Sequence, residues 1–222
     1  MTTLIDRFTY STVVKLLFLL TAFCGLLIAF QASYTGNYTY FFLGWNLFLA
    51  WVPLLFALIW QHRLASAKPL ARWKQVGLFG FWLLFSPNAP YLITDLVHLN
   101  RWINPAQWMD ILLFFAAACT GLLVGMYGLY KVHQILKTSF NSWQCWLIMM
   151  SSIVLSSYGI YLGRVQRWNS WDILTKPHLL LQDAFMQLAN PEAWSIIVGF
   201  SLFLGLSYFI TIQLIQDVRC KR

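Results

Sequence analysis

The sequence predicts an all-α fold: a polytopic transmembrane helical bundle of about six spans, forming one integral membrane domain over residues 1–222. Three observations predict it. Hydrophobic residues make up 59% of the chain and charged residues only 10%, with a mean hydropathy of +0.63, well beyond the balance of a soluble domain. No charged residue occurs between Leu16 and Gln61, a run that holds two helices of about 20 residues and a turn. The apolar stretches are continuous rather than alternating, which argues against a membrane barrel.

The spans are expected near 14–33, 40–60, 75–97, 111–130, 144–163 and 195–216. The first carries an apolar run from Leu16 to Phe30. That is long for a signal peptide, and no small-x-small cleavage site follows, so it reads as a retained span. "YTGNYTY" turns the chain into the second span. The third ends in "SPNAPYLITDLVHLN", where Pro87 and Pro90 remove backbone donors and predict a break at Ser86–Pro90. Asn88 is placed to cap the helix that restarts. Beyond the break, Leu92, Leu96 and Leu99 fall on one stripe; Tyr91, Thr94, Asp95 and His98 fall on the other. A polar stripe at that depth should face protein or water, not lipid. Spans four and five carry Gly121-x-x-x-Gly125 and Gly159-x-x-x-Gly163, spacings that permit close helix contact. Between spans five and six, "TKPHLLLQDAFMQLAN" starts a helix at Pro177. Its stripe of Leu180, Leu181, Ala184, Phe185 and Leu188, with His178, Gln182, Gln187 and Asn190 facing away, predicts an outer interfacial helix near 177–190.

Charge sets the orientation. The net charge is +8, but the basic residues lie in short loops, so the positive-inside rule explains them and nucleic acid is not an expected partner. Eleven of the 15 Lys and Arg fall on the side of the termini and the 61–74 and 131–143 loops, against Arg101, Arg164, Arg167 and Lys176 on the other. Both termini are therefore expected in the cytoplasm. Most of the 12 tryptophans fall near span ends; Trp51 and Trp82 lie at depth. His62 and His133 fall in the basic loops and are expected to be solvated. Cys24, Cys119, Cys145 and Cys220 show no CxxC or Cys/His spacing, which argues against a zinc site or disulfide framework of that kind.

The functional candidates gather on the outer face. Asn46 enters span two, and Asn88, Tyr91, Asp95 and His98 lie on the broken segment. Asp110 opens span four, and "GRVQRWNSWD" supplies Arg164, Arg167, Asn169 and Asp172. Asp95, His98 and Asp110 are the candidate catalytic residues, as base and orienter. Asp95 and His98, at i and i+3, are also the candidate metal ligands. Asn46, Asn88, Tyr91, Arg164, Arg167, Asn169 and Asp172 are the candidate contacts to substrate or partner. Both arginines suit an anionic group such as a lipid phosphate. Equally, the aspartates and arginines could pair to pin the broken segment and the outer loop, with a partner docking on the Trp-rich rim, because charges at membrane depth need partners whether or not they do chemistry.

"SPNAPYLITDLVHL", "WMDILL" with "TGLLVG", and "GIYLGRVQRWNSWDIL" resemble the motifs of a bacterial multi-pass membrane family labelled domain of unknown function 1361. The resemblance runs from about Asn46 through span six. It implies a bacterial inner-membrane protein and brings no assigned activity or cofactor. Three functions stay open: a binding or assembly role, an outward-facing enzyme acting on a lipid or anionic substrate with or without a metal, and a small-solute transporter. The broken helix favours the last; the lack of an internal repeat and the one-sided polar set count against it.

Overall fold

A computed structural model describes residues 4–36, 38–66, 70–101 and 107–220. Every regular element in them is helical: α1 (Leu4–Thr35), α2 (Phe41–Leu64), α3 (Arg72–Phe85), α4 (Asn88–Thr94), a 3-10 segment (Asp95–Arg101), α5 (Gln107–Leu136), α6 (Ser142–Arg164), α7 (Asp172–Thr175), α8 (Pro177–Gln187) and α9 (Pro191–Cys220). Six stretches are long and apolar enough to cross a membrane: Thr12–Thr35, Phe41–Leu64, Arg72–Leu99, Trp108–Leu136, Ser142–Arg164 and Pro191–Val218. These are the six expected spans. Helices are the form this sequence must take in lipid, because each satisfies its own backbone where water cannot. Phe18, Leu26, Phe115, Leu202 and Leu206 are among many large apolar side chains on the outer surface, as a lipid-facing wall requires.

Helix α5 runs through the middle of the bundle, packed against α1, α2 and α4 and touching α6 and α9. Helix α6 pairs with α9, and α2 lies along α3. The core joins Leu54, Trp82, Met149, Ile160 and Tyr208 from four helices.

The third span is interrupted as expected, between α3 and α4, yet it bends only slightly. The reason is local. Ser86 N–H bonds Leu83 O (3.3 Å) and Tyr91 N–H bonds Pro87 O (3.0 Å), so the coil carries on across the proline gap through tighter turns. Asn88 does not cap α4 with its side chain: its Nδ2 donates to Phe85 O (2.9 Å) and Ser170 Oγ (3.0 Å). It satisfies the carbonyl of the last residue of α3.

Both glycine pairs face this interrupted segment. A Cβ on Gly121 would collide with Ala89 O and Leu92, and one on Gly159 would stand 2.5 Å from the Pro87 ring. Gly125 meets Ala89 and Pro90, and Gly163 meets Tyr91. The segment from Pro87 to Leu92 is thus wedged between two small-residue stripes, which lets backbone meet backbone.

Two sequence expectations are corrected at the basic end. Helix α5 continues to Leu136, so Lys131 and His133 lie within it rather than in a loop. His133 is 0% exposed: its Nδ1 shares a hydrogen bond with the Tyr208 hydroxyl, and its ring meets Trp146 edge-on. Lys131 is 1% exposed, donates to Gln61 Oε1 (3.1 Å) and lies over the Tyr127 ring. Neither is solvated, because a polar residue inside a long amphipathic helix can turn inward to a partner instead of ending the helix. His62 is exposed as expected, and removing Lys131 from the loop count leaves the charge asymmetry standing.

The outer helix is present as α8, with one correction to its faces. His178 and Gln182 are exposed, but Gln187 and Asn190 turn inward to the Tyr161 hydroxyl (2.7 and 3.2 Å). Tyr158 OH donates to Ala184 O. Phe185 is 71% exposed. Helix α6 presents two tyrosine hydroxyls at that level, so α8's amides are satisfied against protein and its apolar side is left for the bilayer.

Candidate functional site

At the end of the bundle opposite the basic loops lies a cavity of about 280 Å³ between the start of α2, the α3–α4 junction, the end of α6 and the loop after it. Seven of the expected residues line it: Asn46, Asn88, Tyr91, Asp95, His98, Arg164 and Asn169. Phe42, Trp45, Trp168 and Trp171 supply aromatic wall, and Leu180 of α8 closes one side.

Asp95 and Arg164 organise the site. Asp95 is 1% exposed, and its Oδ1 accepts from Arg164 Nη1 at 3.1 Å. Its Oδ2 accepts from Asn46 Nδ2 at 2.8 Å. Arg164 also donates to Tyr91 OH (3.4 Å) and to Thr94 O, and its guanidinium lies 5.4 Å from the centre of the Tyr91 ring. This explains why α4 gives way to the 3-10 segment here: Thr94 O bonds the arginine rather than serving only the helix. A buried carboxylate and a part-buried guanidinium are each met by charge and by hydrogen bonds, the arrangement that membrane depth demands.

The loop after α6 is held by a chain of bonds. Arg167 turns it in a left-handed conformation, φ 62°, uncommon outside glycine. Trp168 Nε1 donates to Asp183 Oδ2 (2.6 Å) on α8, and Ser170 Oγ donates to Leu84 O (3.2 Å) on α3. With Asn88 on Ser170, these bonds fasten the loop to the interrupted span and to α8.

Asn46 and Asn88 have fixed amide orientations. Asn46 Nδ2 faces a carboxylate and Asn88 Nδ2 faces a carbonyl, and both partners can only accept. Each Oδ1 is therefore an acceptor on a cavity-lining side chain. Tyr91 OH accepts from Arg164 and keeps its proton to donate. His98 enters the wall between Phe42 and Phe114, at ring distances of 5.4 and 6.5 Å.

Three candidates sit elsewhere. Asp110 lies with α1 rather than with Asp95: Gln31 Nε2 donates to its Oδ1 at 2.6 Å, and both residues are buried. Gln31 is a buried polar partner that the sequence reading missed; its one signal is an amide in a stretch, residues 16–33, whose other polar side chains are only Thr21, Cys24 and Ser33. Asp172 does not pair with an arginine. Its Oδ2 accepts the Asn169 backbone N–H (2.7 Å) and its Oδ1 accepts from Thr175 Oγ1 (3.3 Å), local bonds that tie the loop to the start of α7. That backbone bond, with Asn169 Nδ2 and Thr175 adding to it, holds the Asp172 carboxyl below the usual carboxylate range. Arg167 is exposed at its turn. The expected set of aspartate–arginine pairs thus reduces to the single pair of Asp95 with Arg164 among the described residues. Also among the described residues, no three His, Cys, Asp or Glu side chains stand together as metal ligands would. Asp95 has both carboxylate oxygens occupied by Arg164 and Asn46.

No curated protein and no solved structure matches the chain. The family described as "Protein of unknown function (DUF1361)" matches residues 45–206, which takes in the interrupted span, both glycine pairs, Asp95, Arg164 and the whole outer loop. The chain belongs to that family.

Proposed function

We propose that this is a membrane-embedded binding protein whose ligand enters the cavity around Asp95 and Arg164. One observation carries the reading: the two charges are met by each other, with Asn46 on Asp95 and with Tyr91 and Thr94 on Arg164. The pair builds the site, and recognition is left to neutral groups. Asn46 Oδ1 and Asn88 Oδ1 accept, Tyr91 OH donates, and Trp45, Trp168 and Trp171 offer flat apolar faces. A neutral ligand or lipid headgroup with several hydroxyls fits that set, since a few placed polar groups on an apolar wall fix orientation. An anionic lipid or substrate would meet a guanidinium whose charge the buried Asp95 already balances. A base poised for catalysis would meet the same obstacle at Asp95.

In this reading the cavity faces the extracytoplasmic side of a bacterial inner membrane and both termini are cytoplasmic, an orientation that the excess of basic residues at the opposite end supports. A protein partner on the Trp-rich rim belongs to the same reading, as the donor or acceptor of the bound molecule. The test uses purified protein in neutral detergent and follows tryptophan fluorescence and melting temperature. Ligands are neutral glycosides beside anionic compounds of similar size. Neutral polyhydroxyl compounds should bind, and Tyr91→Phe should weaken them about fivefold, one neutral hydrogen bond. Selective binding of anions, with Tyr91→Phe inert, would end the proposal.

A further inference from the structure

A second cavity, about 440 Å³, opens at the basic end, between the end of α2, the start of α3 and the α5–α6 corner. Trp60, Val76, Phe79, Leu136, Phe140 and Ile148 make it largely apolar. Its polar groups are Arg72, Gln75 and Ser139, and no acidic residue lines it. Lys74, near the start of α3, and Lys137, on the turn after α5, are exposed. Arg72 is also the first residue of a 14-residue helix whose N-cap, Ala71, has no side chain to bond the first-turn N–H groups. A helix start of that kind favours an anion. In the wall, the Trp60 indole N–H is buried with no acceptor among the described residues, an unmet cost in the fold.

From this combination we infer that the groove seats an anionic phospholipid. The phosphate lies at Arg72 and the α3 N-terminus, and an acyl chain lies along Val76, Phe79 and Ile148. Free phosphate would leave the apolar wall uncovered. A zwitterionic lipid would bring its own cation to a rim that is already positive. A second copy docking by the same end would set like charges against each other. The site does not depend on the outer cavity or its ligand.

The test is native mass spectrometry of protein released from vesicles of phosphatidylcholine with a minor share of phosphatidylglycerol. Phosphatidylglycerol should be retained well beyond its share of the vesicle. Arg72→Gln should cut that retention about fivefold, the loss of one basic contact near a headgroup. Ser139→Trp, which fills the groove and spares the charge, should abolish it while the gel-filtration profile is unchanged. Should Ser139→Trp misfold, Arg72→Gln at the rim still decides. Equal retention of the two lipids by the wild type, or full retention by Arg72→Gln, would overturn the inference. Complete competition by inorganic phosphate would also overturn it, because the acyl chain would then contribute nothing.

Discussion

Replacing Asp95 by asparagine removes one charge from the centre of the outer site while keeping its shape. The side chain is 1% exposed and its oxygens hold Arg164 and Asn46 at 3.1 and 2.8 Å. Removing one partner of a fully buried pair costs about 3–5 kcal/mol. Arg164 keeps 22% of its side chain exposed, so water recovers part of its charge and we expect about 2–3 kcal/mol for Asp95→Asn. Arg164→Gln should cost a similar amount, because it strips Asp95, Tyr91 and Thr94 of a donor at once. The double variant should be less harmful than the two singles added, with a coupling of about 1–3 kcal/mol, as residues in direct contact show. The assay is unfolding in mixed micelles as sodium dodecyl sulfate is titrated, followed by circular dichroism. Losses below about 0.5 kcal/mol for each single variant, or strict additivity, would refute the reasoning that this pair holds the interrupted span to α6.

Two further outcomes follow from the packing and the loop. Gly121→Ala and Gly159→Ala should each destabilise the protein by about 1–3 kcal/mol through overpacking against Ala89 and Pro87. Gly199→Ala and Gly205→Ala, where nothing lies within 4 Å of the added carbon, should be neutral or stabilising by up to about 1 kcal/mol from helix propensity; the sign read in the same titration separates the two classes. Asp172 titrates lower in the fold than its unfolded value of about 3.9. Its contribution is therefore complete above that value and is lost as the pH falls through the lower folded value. Protease cleavage between residues 165 and 176 should rise only in that acid window, and Asp172→Asn should remove the pH dependence.

The spans were legible because lipid imposes one rule on every residue of a long run, and the runs here are nearly free of charge. The outer site was legible as a list, since ionisable and amide groups stand out against such a background. Its pairing was not. Asp95 and Arg164 are 69 residues apart, and nothing in either segment says that Arg164, rather than Arg167 three residues on, turns inward. Arg164 is the last residue of α6, while Arg167 sits beyond it in a left-handed turn that is a property of the folded loop. Lys131 and His133 were misread because a basic residue after an apolar run marks a span end as readily as a buried partner. Tyr127, Tyr130 and Lys131, at i, i+3 and i+4, are the local sign that the helix continues. The glycine spacings announced a close contact, but that both contacts fall on the segment from Pro87 to Leu92 required the three-dimensional arrangement.

The central claim is that the Asp95–Arg164 cavity opens away from the basic end of the bundle. Cysteine labelling on intact cells tests it most directly, in a background with the four native cysteines replaced. Trp171→Cys at the cavity rim should react with a membrane-impermeant maleimide, and Lys74→Cys beside the lipid groove should react only after the cells are opened. Labelling of position 74 from outside with position 171 protected, or of both from the same side, would contradict the account.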